Sequence, residues 1–200
     1  MIPTLSPAVF STLPASKPRI LVVTLRDLGD ALLAAALGPA LSFLRPDSEI
    51  WLLTFRRNAS ILEGIPGLDG VITVEDKPNL PELLSDLRRL WNRFEWSLCR
   101  LTSDRAFYYG YAAGRKQVMH ETQDRLRRTL FSNPVALDDS AHQLDRLAAL
   151  LAPVAVETGK SLPPFILTHR TPRCLTRIRR GAGKIPSSSS ICPGNAPTKT

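Results

Sequence analysis

Cysteine is scarce in this chain. Cys99, Cys174 and Cys192 are the only three in 200 residues, and no two of them stand in a CxxC spacing. A disulfide-stapled scaffold and a cysteine-built zinc site are therefore excluded, and reduced thiols are expected. His120, His142 and His169 are scattered without metal-ligand spacing, so no metal site is expected. Long apolar runs are lacking as well. The longest, Ala31 to Leu44, contains Gly38 and Pro39 and is shorter than the ~20 residues of a bilayer crossing. The opening segment carries Pro3, Pro7 and Pro14 and no cation before Lys17. A secretory signal needs a charged start and an unbroken apolar stretch, so residues 1–18 read instead as a flexible leader. Carboxylates are absent beyond Glu157, whereas eight of the 26 Lys/Arg lie there, from Lys160 to Lys199. The formal charge of +8 is thus a property of the tail. That argues against a nucleic-acid-binding domain and leaves either a solvated linker or a contact with a polyanion or anionic membrane.

What the chain does have is enough apolar material for one core: 44% hydrophobic and 22% charged residues, the composition of a soluble globular protein. Short apolar runs rich in β-branched residues occur at Arg19–Leu25, Glu49–Thr54, Val71–Val74 and Trp96–Leu101, with Gln117–Met119 as a fifth strand. Such runs suit strands buried on both faces. Between them lie helical patterns: Ala31–Leu44, a short one from Ala59, Leu80–Phe94 and Asp104–Ala113, with Ala141–Leu151 following. In Leu80–Phe94 the residues Leu80, Leu83, Leu84, Leu87, Leu90 and Trp91 read as one buried face. Trp51, Trp91 and Trp96 all read as core. Strands alternating with helices predict βαβ units in an α/β, doubly wound parallel sheet.

In such sheets ligands sit beyond the carboxyl ends of the strands, so the loop after the first strand, Arg26-Asp27-Leu28-Gly29-Asp30, is the first candidate site. It has one glycine against the three of a dinucleotide fingerprint, and no P-loop Lys-Ser/Thr pair. Its distinctive group is Asp30 at a helix start. That carboxylate reads either as a helix cap or as a general base, and the two roles are compatible. Arg56 and Arg57, after the second strand, read either as solvated loop charge or as forks for an anionic ligand. Arg125, Arg127 and Arg128 carry the same pair of readings.

The first loop ending Leu28-Gly29-Asp30, its Ala/Leu helix, Arg45-Pro46-Asp47-Ser48 before the second strand and Ile65-Pro66-Gly67-Leu68-Asp69-Gly70 before the third together resemble glycosyltransferase family 9. These are the ADP-heptose:lipopolysaccharide heptosyltransferases. Ala112-Ala113-Gly114-Arg115 and Ile191–Lys199 resemble two further family segments. The family's usual His in the latter is Cys192 here. The resemblance implies a GT-B architecture, of which this chain would be the Rossmann-like N-terminal half. It implies an inverting, metal-independent transfer from a nucleotide sugar, ADP-heptose, to a lipopolysaccharide-core acceptor, without another cofactor. It implies Asp30 as catalytic base, Gly29, Arg56 and Arg57 on the acceptor, and Thr198 and Lys199 on the donor diphosphate.

The domain organisation expected on this basis is a leader at 1–18, an acceptor-binding domain at 19–165, a basic linker at 166–190 and a truncated start of a donor domain at 191–200. A cytoplasmic protein, at most peripheral at the inner membrane, is expected, with no transfer by the 200 residues alone for want of a donor domain. Two other readings remain at this point. One is a Rossmann module using NADP, with Arg56 suited to a 2′-phosphate and the missing glycines against it. The other is a non-catalytic remnant.

Overall fold

A computed structural model of the chain describes residues 2–62, 64–100, 103–120, 129–130, 132–135, 140 and 142–162. All of these belong to one unit, Met1–Arg170. The elements in order are β1 (Thr4–Leu5), α1 (Pro7–Phe10), β2 (Arg19–Val23), α2 (Leu28–Ala35), α3 (Gly38–Leu44) and β3 (Glu49–Phe55). A short 3-10 turn, Arg56–Asn58, leads to α4 (Ala59–Leu62), β4 (Gly70–Val74), α5 (Leu80–Leu90), β5 (Phe94–Cys99) and α6 (Asp104–Ala113). The described chain ends with β6 (Gly114–His120), β7 (Asn133–Val135), α7 (Gln143–Ala149) and α8 (Ala152–Thr158).

The strands form one sheet in the order β1-β4-β3-β2-β5-β6-β7, and every pairing is parallel. Setting β1 aside, this is the doubly wound order whose direction reverses between β2 and β5. Alternate residues of each strand feed two cores. Ile20, Val22, Ile50 and Leu52 pack with α2, α3, α4, α7 and α8 on one face. Leu21, Val23, Trp51 and Leu53 pack with α1, α5 and α6 on the other. This two-sided burial is why the strand runs are nearly continuous in apolar residues.

Three local expectations change. The stretch Ala31–Leu44 is two helices, because Pro39 lacks an amide donor and its ring crowds the preceding turn; it stands instead in the first turn of α3. The helix expected over Leu80–Phe94 ends at Leu90, with Phe94 opening β5, and it turns only part of its apolar set inward. Leu83, Leu87 and Leu90 pack on the core, whereas Leu80, Leu84 and Trp91 are exposed.

The third change concerns the leader. Residues 4–10 are structured: β1 pairs with β4, and Ser6 caps α1 with Pro7 in its first turn. Phe10 is fully buried. It stacks on Phe94 at 5.1 Å and meets Trp51 edge-on at 4.8 Å. Arg19, only 3% exposed, holds the segment down. Its guanidinium lies 5.0 Å from the Phe10 ring centroid, its Nε donates to Glu49 at 2.8 Å and its Nη2 donates to the Pro14 carbonyl at 2.6 Å.

Two glycines are dictated by close approach. Gly67 turns at φ +81°, and a Cβ there would strike the backbone of Gly38 and Pro39. Gly114, at the junction of α6 and β6, would drive a Cβ into Ser97, whose hydroxyl donates to the Gly110 carbonyl at 2.6 Å. At the amino ends of the strands, Arg45 joins Glu95 at 2.6 Å and Glu157 at 3.2 Å, and Lys116 joins Glu157 at 2.6 Å. The Lys116 ammonium holds the Glu157 carboxyl below its usual range. Between α5 and α6 the Tyr109 hydroxyl donates to Asp86 at 3.3 Å. Burial pushes the Asp86 carboxyl up, against the hydrogen bond from Tyr109, and pushes the Tyr109 hydroxyl up as well.

Phe10→Ala is expected to cost about 3–5 kcal/mol in urea unfolding; a loss within error of zero would return the segment to a loose leader. Gly114→Ala is expected to cost about 1–3 kcal/mol by the same measurement. A group with a raised folded pKa stabilises fully below its unfolded pKa and loses that contribution as pH rises through the folded one. Asp86→Asn should therefore gain stability over the wild type between pH 3 and pH 7, read from urea midpoints. A pH-independent difference would remove Asp86 from this role.

Candidate functional site

The chain leaves β2 for α2 on one face of the sheet and leaves β5 for α6 on the other. The carboxyl ends of these two neighbouring strands therefore open a crevice that no crossover covers. The first turn of α2 forms one wall, and Asp30 stands in it. The segment after β5 forms the other and carries Arg100. Arg100 Nη1 donates to Asp30 Oδ1 at 2.9 Å, and Arg26 Nη1 lies 3.4 Å from Asp30 Oδ2. Each carboxylate oxygen thus has its own arginine. The two differ in exposure: the Arg100 side chain is 17% exposed and that of Arg26 47%. Attraction between unit charges grows as water is excluded, so Arg100 is the firm partner and Arg26 the replaceable one.

Asp30 is not the helix cap. Asp27 occupies that position, and its side chain makes no cap hydrogen bond. It pairs instead with Arg57 at 3.2 Å. The loop between them is fixed from below by Asn58, which is buried. Its amide donates to the Arg26 carbonyl at 2.9 Å and to Thr54 Oγ1 at 3.1 Å. Gly29 lies in the same turn, and a Cβ there would meet open space.

Arg56 and Arg57 follow β3 on the same edge of the sheet. Arg56 pairs with Glu75 at 2.8 Å, and Arg57 bridges Asp76 at 2.8 Å and Asp27. Both arginines are exposed and both are already paired, so an anionic ligand would have to compete for them. Arg57 and Arg105 lie 4.9 and 5.1 Å from the Phe55 ring centroid, which fixes their planes. Arg105 also donates to the Glu75 carbonyl at 3.1 Å.

The edge therefore gathers Arg26, Arg56, Arg57, Arg100 and Arg105 around Asp27, Asp30, Glu75 and Asp76. The sequence singles out Asp30, Gly29, Arg56 and Arg57, places Arg26 in the first loop and Asp104-Arg105 on the crevice side as a helix start with a local pair, and does not mark Arg100 as a partner of Asp30. The signal for Arg100 is a lone cation closing the apolar strand run Phe94–Cys99, and it becomes meaningful only once β5 is known to neighbour β2. Thr198 and Lys199 lie outside the described residues, as do Arg125, Arg127 and Arg128. Among the described residues no cluster of three or more His, Cys, Asp or Glu could hold a metal ion. Cys99 is buried, and burial pushes its thiol up to about 12, so it is inert as a nucleophile.

By sequence, the chain matches no family model and no curated protein. By structure it resembles several glycosyltransferases. A family 9 glycosyl transferase from Veillonella parvula matches with a TM-score of 0.61 and 21% identity, over 74% of this chain and 45% of that one. The E. coli heptosyltransferase WaaC with ADP-2-deoxy-2-fluoro heptose gives 0.60 and 15%, over 72% and 50%. The E. coli ADP-heptose LPS heptosyltransferase II gives 0.56 and 19%, over 66% and 39%. The chain spans half or less of the length of each of these proteins. Over its described residues it has the parallel α/β fold found in GT-B glycosyltransferases of the heptosyltransferase kind.

Proposed function

We propose that this chain is the acceptor-binding part of a glycosyltransferase that moves a sugar, of the ADP-heptose type, onto a lipopolysaccharide-core acceptor. The observation that carries the reading is the carboxylate of Asp30 at the mouth of the switch-point crevice, flanked by Arg100 and Arg26. The acceptor hydroxyl takes the place of the exposed Arg26 at Oδ2 while Arg100 keeps Oδ1. Asp30 then receives the hydroxyl proton as the acceptor oxygen bonds to the anomeric carbon. The bond from that carbon to the nucleotide diphosphate breaks, and its electron pair leaves with the diphosphate. Attack from the face opposite the leaving group inverts the anomeric centre.

This chemistry asks for no metal among the described residues, provided cations meet the charge on the departing diphosphate. Lys199, with Thr198, supplies that positive charge. Gly29, Arg56 and Arg57 line the acceptor side, where the arginine forks suit phosphate or carboxylate groups. Such a protein works on the cytoplasmic side of the inner membrane, where nucleotide sugars are made.

Two measurements test the reading. The 200-residue chain is titrated with a deacylated lipopolysaccharide-core acceptor and, separately, with NADP. Saturable acceptor binding, weakened about tenfold by Arg56→Ala with Arg57→Ala, is expected; binding of NADP alone sinks the proposal in favour of a dinucleotide module. In a chain completed by a nucleotide-sugar-binding domain, Asp30→Asn is expected to lower turnover by roughly 10²–10⁴-fold with the fold intact by circular dichroism. Turnover near that of the wild type would reduce Asp30 to a structural ion-pair partner of Arg100.

A further inference from the structure

The outer side of α5 carries residues that its packing does not explain. Leu80, Leu84 and Trp91 recur at i, i+4 and i+11, so they stack along one flank of the helix. They are 67%, 56% and 56% exposed. The inward side of the same helix is already occupied by Leu83, Leu87 and Leu90. On α1, which packs against α5, Val9 is exposed as well.

The charge bordering this stripe on α5 is a cation. Arg88 lies one turn beyond Leu84 and three residues before Trp91, so it borders the apolar stripe. Arg88 and Arg93 are exposed and form no ion pair among the described residues. The two acids of α5 are engaged elsewhere: Glu82 closes the capping box with Asn79, and Asp86 accepts from Tyr109. Leucines, a tryptophan and the unpaired Arg88 along one helix flank, with Arg93 following just beyond the helix end, are the makings of an interfacial helix. The aromatic ring sits at headgroup level, the leucines enter the acyl boundary and the guanidinium groups meet lipid phosphate.

From this we infer that α5 docks this domain onto an anionic lipid bilayer surface. Embedding is partial, since no described helix is long and apolar enough to cross a membrane. A second copy of the chain suits the flank less well. Side chains of this size bury at most ~150–250 Å² each, and three fall short of the ~800 Å² per partner of a stable complex. Two copies would also bring Arg88 toward Arg88.

The test uses the full chain and the fluorescence of Trp91. Trp51 and Trp96 are 4% and 2% exposed, so acrylamide quenching reports Trp91. With vesicles of phosphatidylglycerol and phosphatidylcholine, its emission should shift to the blue and lose its quenching; phosphatidylcholine vesicles alone should leave it unchanged. Leu84→Glu should lower the vesicle partition coefficient by about tenfold. Trp91→Phe should abolish the responsive emission while co-sedimentation persists. Co-sedimentation with Trp91 still fully quenchable would mean attachment through the cations beyond Glu157 and would overturn the inference. So would equal partitioning of Leu84→Glu, absence of binding, or shielding of Trp91 without vesicles together with a doubled mass.

Discussion

The site depends on a reversal of strand order between β2 and β5. Both strands are parallel and hydrogen-bonded to each other. A right-handed crossover from β2 toward β3 must run over one face, and one from β5 toward β6 over the other. The two chains part at the carboxyl edge and leave a gap that neither helix can fill. Asp30 and Arg100 meet at that gap. Asp30 reaches it because α2 starts there, and Arg100 because β5 ends there. The ion pair between them at 2.9 Å ties the two strands together beyond their last backbone pair, Val23 with Cys99.

The ion pair also sets the chemical character of the site. A carboxylate with an arginine on each oxygen is neutralised from two sides. Of the two partners Arg26 is the more exposed, and displacing the more buried Arg100 would strand a charge in a drier setting. The arginines farther out are held by Glu75, Asp76 and Asp27 and by the Phe55 ring. Any anionic ligand would have to compete with those carboxylates. The crowding of arginines after β2, β3 and β5 is a feature of the edge, not of any one loop.

Much of the fold was legible in the chain. The runs at Arg19, Glu49 and Gly70 are β-rich and buried on both sides, which specifies a parallel sheet under two layers of helices. The helix of Leu80–Leu90 was legible in its period, whereas the capping box of Asn79 and Glu82 at its start shows only in the structure. The leader was not, because Thr4–Leu5 is too short for a strand pattern; its pairing with β4 and the Arg19–Phe10 contact are both long-range. The break at Pro39 was misread because Ala/Leu content outweighed one proline. The outward turn of Leu80, Leu84 and Trp91 was missed because an apolar period marks a stripe on a helix without saying how wide the neighbouring core is.

For the candidate site the division is similar. Local chemistry marked Asp30: a carboxylate beside a lone glycine at a strand-to-helix turn is a conspicuous group at the sheet's carboxyl edge. It did not say whether that group caps the helix. The cap position falls to Asp27, because α2 begins at Leu28, earlier than the apolar run suggested. By itself the sequence determined the alternation of strands and helices and the position of an acid after the first central strand, since periodicity and loop chemistry act over a few residues. The tertiary structure alone decided that Arg100 meets Asp30, that Phe10 joins the core and that one flank of α5 stays bare. Those facts depend on which strands become neighbours, and strand neighbourhood is settled by the packing of the whole sheet.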